Sequence, residues 1–148
     1  MKIFKFGGAS VKDAEGVKNI ASVLKTVGYE NTLVIVSAMG KTTNAMELVI
    51  KNYFENRAEL QSALQDVKKF HNQILLDLFD NERHPVFEHV KNLFTELGTF
   101  LKVNKSPDYN FVYDQTIGYG ELLSTTIISY YLNEIGLKNN WLDVRTFI

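Results

Sequence analysis

Two short apolar runs on either side of one helical stretch do most to limit how this chain can fold. Ile3 to Phe6 is a brief strand candidate, and Thr32-Leu33-Val34-Ile35-Val36 is a continuous apolar run rich in β-branched residues. Between them Val17, Ile20, Ala21, Leu24 and Val27 recur at helical spacing from a start near Asp13. Gly28 follows, where a helix C-terminus favours a residue that tolerates positive φ. Continuous β-branched runs belong to strands buried on both faces, as in parallel sheets. Strand, helix and strand within the first 36 residues therefore predict a βαβ unit with a right-handed crossover.

The middle of the chain is helical. Met46, Val49, Ile50, Tyr53 and Phe54 share one face, Leu60, Leu64, Val67, Phe70, Ile74, Leu75 and Leu78 a second, and Val86, Val90, Leu93, Phe94, Leu97 and Leu101 a third after Pro85. Three amphipathic helices with no strand between them predict a helical insertion, over about residues 45–105, on an α/β framework. Asn104 to Asn110, with Pro107, reads as the closing loop. Asp114 is then placed to cap a last helix carrying Leu122, Leu123, Thr126, Ile127, Tyr130 and Tyr131, which Gly136 ends. Trp141-Leu142-Asp143-Val144 reads as a third strand. The sequence stays apolar to Ile148 with no polar tail, an odd place for a sheet to stop, so a piece of a longer protein is expected.

Composition narrows the function classes. A chain of 148 residues that is 45% apolar and 22% charged suits one domain with its own core. A net charge of −1 gives no basic field for nucleic acid or an anionic membrane. No run approaches the roughly 20 apolar residues that span a bilayer, and Gly7 and Gly8 interrupt any signal-peptide core at once. Cysteine is absent, so no disulfide framework or thiolate metal site can form, and a cytoplasmic protein is expected.

Lys5-Phe6-Gly7-Gly8-Ala9-Ser10-Val11 ends the first strand and opens toward a helix. Paired glycines there let the backbone approach a ligand, free N–H groups can face phosphate oxygens, and Lys5 adds a positive charge. A purely structural turn fits this segment equally well. Gly40-Lys41-Thr42 imitates a nucleotide-binding P-loop, but the glycine required five positions before Gly40 is Ile35, within a strand. A helix start with Thr42, Thr43 or Asn44 as cap explains that loop and still leaves Ser37 and Thr43 able to offer hydroxyls. Glu121, in Gly118-Tyr119-Gly120-Glu121-Leu122-Leu123-Ser124, suits the first turn of a helix electrostatically. It could also pair with a ligand ammonium. His71, His84 and His89 have no ligand-like spacing and are expected on the surface, with Phe54, Phe70 and Phe94 in the core. The residues suggest no metal site.

In order along the chain, Lys5–Val11, Val36-Ser37-Ala38 with Thr43-Asn44, Gly120-Glu121-Leu122-Leu123-Ser124 and Trp141-Leu142-Asp143-Val144-Arg145 together resemble aspartokinase, of the amino-acid kinase family. The resemblance covers essentially the whole chain. It implies a three-layer αβα sandwich of the carbamate kinase-like type, represented by its N-terminal lobe over 1–148 with the helical insertion. The C-terminal nucleotide-binding half and the regulatory ACT domains would lie outside it. The implied reaction is ATP-dependent phosphorylation of the β-carboxylate of L-aspartate, the first step of lysine, threonine and methionine biosynthesis, in the intact enzyme, with this piece inactive by itself. Carried over, Lys5 would be catalytic, Lys5, Gly7, Gly8 and Ser10 would hold the ATP phosphates, and Ser37, Thr43 and Glu121 would bind aspartate. Mg²⁺ would arrive with ATP, and the full-length protein would be a homo-oligomer. The family more often carries threonine where this chain has Ala9, which removes one possible hydroxyl contact. Two other readings stay open: an amino-acid kinase for another carboxylate or a carbamate, and a non-catalytic binding or dimerisation module.

Overall fold

A computed structural model describes residues 1–147; Ile148, the apolar last residue noted above, lies outside the described residues. Strand β1 (Lys2–Phe6) and strand β2 (Thr32–Val36) pair in parallel, with Lys2 opposite Thr32 and Phe6 opposite Val36. Helix α1 (Ala14–Val27) crosses between them. Asp13 caps α1 by accepting from the Gly16 N–H at 2.9 Å, and Gly28 ends it at φ +83°. The βαβ unit thus forms as its sequence predicts.

The sheet is covered on one face. Phe4, Phe6, Val34 and Val36 pack against the core, whereas Ile3 is 60% exposed and Ile35 43% exposed on the other side. Leu33 shares that bare face. The expectation that 32–36 would be buried on both faces therefore fails: among the described residues the helices lie on one side only.

Helix α2 (Thr42–Glu55) breaks at Asn56 into the long α3 (Arg57–Leu78), and α4 (Pro85–Val103) follows. These helices are the insertion. Its interior holds Met46, Val49, Ile50, Val67, Ile74, Leu75, Val86, Val90 and Leu97. Phe94 is buried with them, but Phe54 and Phe70 lie at its margin, partly exposed. Tyr53 ties the insertion to the loop after α4: its hydroxyl donates to the Asn104 carbonyl at 3.2 Å and accepts from the Asn104 amide at 2.8 Å.

Three expectations are corrected here. The late helix is two helices, α5 (Tyr109–Ile117) and α6 (Tyr119–Glu134). The cap of α5 is Asp108, which accepts from the Asn110 and Phe111 N–H groups, and Asp114 lies inside that helix. Residues 141–144 form no strand. The Trp141 indole N–H donates to the Thr125 hydroxyl of α6 at 2.8 Å, which holds the segment against a helix rather than at a sheet edge. A 3-10 turn over Val144–Phe147 follows.

The histidines divide. His71 is completely buried in α3, contrary to the surface placement expected of it. Its ring stands edge-on to Phe70 at 5.2 Å and near Phe94 at 6.0 Å. Helical spacing did place it on the same stripe as Val67, Ile74 and Leu75, which is why burial wins over polarity. His84 caps α4, its Nδ1 accepting from the Val86 N–H at 3.1 Å while Nε2–H reaches Glu134 at 3.1 Å. His89 and the Tyr130 hydroxyl are 3.2 Å apart.

Candidate active site

The carboxyl ends of β1 and β2 lie side by side because the strands are parallel and in register, and both strands exit there into glycine-containing turns. In open α/β sheets this is where ligands bind. A 3-10 turn over Gly8–Val11 continues β1, closed by the Ser10 N–H donating to the Gly7 carbonyl at 3.0 Å. Even-numbered residues of β1 spend their hydrogen bonds on β2, as the bond from Ser37 N–H to the Phe6 carbonyl at 3.0 Å shows. The N–H groups of Gly7 and Gly8 have no hydrogen-bond partner among the described residues. Two free donors at a turn are what an anion needs.

The second turn, residues 37–41, is fastened to the first. The Gly40 N–H donates to the Gly8 carbonyl at 3.0 Å. A Cβ on Gly8 would stand 2.8 Å from the Ala38 carbonyl oxygen and 3.0 Å from that of Gly40, so this approach requires glycine. Gly40 itself, at φ +55°, reverses the chain into α2. The Thr42 hydroxyl closes the turn onto the Met39 carbonyl at 2.5 Å. Helix α6 begins against the same loop, with Gly120 over Ala38 and Thr42.

Three separate stretches of sequence therefore meet at one place, and the residues singled out in the sequence fall on them. Gly7, Gly8 and Ser10 form the first turn. Ser37 is half-buried at the root of the second, and Thr43 is exposed on the first turn of α2. Glu121 is exposed on the first turn of α6, beside Gly120. Lys5 projects from the bare face of the sheet, in register with Ile35, two residues before the turn. Among the described residues neither Lys5 nor Glu121 has an ion-pair partner. An unpaired cation, an unpaired anion and free backbone donors are the groups that a zwitterionic ligand and a phosphate would need.

The last segment adds charge beside α6. Arg145 grips Asp143 through Nη2 at 2.6 Å and Nε at 2.9 Å. Hydrogen bonding to Arg145 holds the Asp143 carboxyl below the usual carboxylate range. Burial, and then Glu96, push the Tyr119 phenol up, while Arg145 acts on it in the opposite sense. Arg145 thus stands near Tyr119, at the start of α6. Gly40, Ala38 and Gly120 lie within motifs read from the sequence, but the sequence does not show their contacts with one another's loops. Two recesses, of about 600 Å³ around Leu76 and Phe79 and about 160 Å³ around His89, Thr126 and Trp141, are lined by none of these residues.

A parallel βαβ lobe with a fastened pair of glycine turns at its strand ends is an α/β framework suited to holding an anion. The profile of the amino acid kinase family matches residues 1–148, and the chain belongs to that family. Among curated relatives, the chloroplastic bifunctional aspartokinase/homoserine dehydrogenase 2 of Arabidopsis thaliana is 31% identical over 97% of this chain and 16% of its own length. The chloroplastic aspartokinase 1 of the same plant is 30% identical over 95% of this chain and 25% of its own length. The fold is that of aspartokinase structures. Aspartokinase III of E. coli, solved with aspartate and ADP in its R-state, superposes with a TM-score of 0.80 at 24% identity, over 98% of this chain and 32% of that one. The aspartate kinase of Clostridium acetobutylicum gives 0.67 at 18% identity, over 90% and 29%. The chain thus spans a sixth to a quarter of the length of these curated relatives and about a third of the solved chains.

Proposed function

We propose that this chain is the aspartate-side lobe of an aspartokinase, which transfers the γ-phosphoryl group of ATP to the β-carboxylate of L-aspartate. The observation that carries the reading is the meeting of the Gly7–Ser10 turn, the 37–41 loop and the start of α6 at the carboxyl ends of both strands, with Lys5 and Glu121 unpaired around it. Similarity to aspartokinases over nearly the whole chain supports it. The remaining nucleotide contacts would come from the part of the enzyme that this chain does not span, and the lobe alone would not turn over.

The roles follow from charge and position. Lys5 lies against the transferring phosphoryl group and offsets the charge that builds on its oxygens. The free N–H groups of Gly7 and Gly8, with the Ser10 hydroxyl, hold phosphate oxygens without reorganising during transfer. Glu121 pairs with the α-ammonium of aspartate, and Ser37 and Thr43 hydrogen-bond its carboxylates. The attacking β-carboxylate is already ionised near neutral pH, so no side chain need remove a proton. Bridging of phosphates and neutralisation of their charge are what Mg²⁺ supplies when it is bound with ATP. The glycine turn fits a phosphate because its open donors are backbone N–H groups without a partner among the described residues.

A cytoplasmic, homo-oligomeric enzyme is part of this proposal; the plant relatives are chloroplastic by name. No helix of the described residues is long and apolar enough to cross a membrane. The test is a coupled ADP-release assay on the complete kinase containing this lobe, run with a panel of L-aspartate, L-glutamate, acetate and carbamate. Turnover should depend on aspartate. Faster turnover with another acceptor would replace aspartate in this reading, and absence of turnover with any would favour a binding module.

A further inference from the structure

Ala38 is held between two residues that have no side chain. On one side Gly8 approaches its carbonyl. On the other, a Cβ on Gly120 would stand 2.9 Å from the Ala38 Cβ and 3.4 Å from Thr42 Cγ2. Ala38 is 4% exposed, so its methyl has nowhere to go. Gly118, two residues earlier, is different: a Cβ there meets nothing within 4 Å. The tight fit is therefore specific to Gly120, the residue immediately before Glu121, and it occurs where α6 touches the loop that is bonded to the glycine turn.

We infer that the Ala38 methyl against the bare Cα of Gly120 is a positioning contact. It sets how closely Glu121 stands to the Gly7–Ser10 turn, and so sets the length of the amino dicarboxylic acid that can reach from one to the other. This rests on reading Glu121 as the ammonium partner. Carbon atoms settle about 3.5–4.0 Å apart, so a Cβ at Gly120 would move the start of α6 outward by roughly 0.6–1.1 Å. That is comparable to the added reach of one methylene, the difference between aspartate and glutamate. A misplacement of about 1 Å in a reacting site can cost 10²-fold.

The experiment compares five forms of the chain: unsubstituted, Ala38→Gly, Gly120→Ala, the double variant, and Gly118→Ala as a control for placing alanine at this helix start. Thermal midpoints are measured first. Overpacking of this kind should lower the midpoint by roughly 2–12 °C for a domain of this size. Gly120→Ala should show that fall, with less than half of it remaining on the Ala38→Gly background and no fall for Gly118→Ala. Each form is then titrated with L-aspartate and L-glutamate while the Glu121 amide is followed by ¹⁵N NMR. Gly120→Ala should raise the half-saturating aspartate concentration roughly tenfold and narrow the preference over glutamate, and the double variant should restore both.

Equal losses of midpoint on the two backgrounds would overturn the steric contact. Coupled midpoints with an unchanged aspartate response in Gly120→Ala would make the contact merely structural and overturn its positioning role. If the midpoints couple but no form, including the unsubstituted chain, responds to aspartate, the aspartate reading of the site falls, and the positioning role with it.

Discussion

His71 gives the sharpest stability prediction, because the fold has buried it as a neutral group. Its Nδ1–H donates to the Val67 carbonyl at 2.7 Å, while Nε2 has no partner among the described residues. Burial depresses its proton affinity below the ordinary value of 6.5, and the bond to Val67 only partly opposes this. No charged side chain contributes to the shift. The sign follows from linkage. Above about pH 6.5 neither the folded nor the unfolded chain holds the proton, so the neutral ring is tolerated in full. As pH falls, the unfolded chain binds a proton that the folded chain excludes, and stability is lost at up to about 1.4 kcal/mol per pH unit. Between pH 7 and 5 this loss has a ceiling of about 2 kcal/mol, or roughly 4–8 °C of midpoint for a domain of this size. His71→Leu removes the titrating group and strands no acceptor, since the Val67 carbonyl keeps its helical bond. Circular dichroism melts of both proteins at pH 7 and pH 5 measure the difference. The unsubstituted chain should lose more than His71→Leu over that interval, by up to roughly 4–8 °C. Equal losses would refute the argument that His71 stays neutral in the fold.

Other outcomes follow from particular contacts. In the complete kinase, Lys5→Ala should lower kcat by roughly 10²–10³-fold with a much smaller change in the aspartate KM, as steady-state kinetics would show. Glu121→Gln should instead act mainly on that KM, and an unchanged KM would dismiss the ammonium contact. Leu97→Ala, at a completely buried position of α4, should destabilise the chain by about 3–5 kcal/mol in urea titrations. Asp108→Ala removes the cap that accepts from Asn110 and Phe111 and should cost about 0.5–2 kcal/mol by the same measurement.

The βαβ unit and the helical insertion were legible because periodicity reports which face of an element is buried. Gly28 and Gly136, at φ +83° and +91°, were legible as helix stops because φ is a local property. What periodicity could not report is what lies opposite a face. Leu33 and Ile35 have the composition of a doubly covered strand, but coverage depends on partners elsewhere in space. Trp141–Val144 likewise has strand composition, yet the Trp141 bond to Thr125 ties it to α6. Asp114 reads as a cap because aspartate favours that position, but the helix begins at Tyr109 and Asp108 caps it. The site was legible as an ordered set of motifs, each ambiguous alone. The contacts of Gly8 and Gly120 with Ala38 were not, because they join residues about 30 and 80 positions apart through backbone proximity.

One measurement bears most directly on the claim that these motifs form a single aspartate-and-phosphate half-site. The ¹⁵N-labelled chain is titrated with L-aspartate and then with ATP and Mg²⁺, and every amide is followed. The account predicts shifts confined to Lys5–Ser10, Ser37, Thr43 and Glu121, with aspartate acting on the last three and nucleotide on the first group. Silence at all of these positions, or shifts centred on the recess around His89 and Trp141 instead, would contradict it.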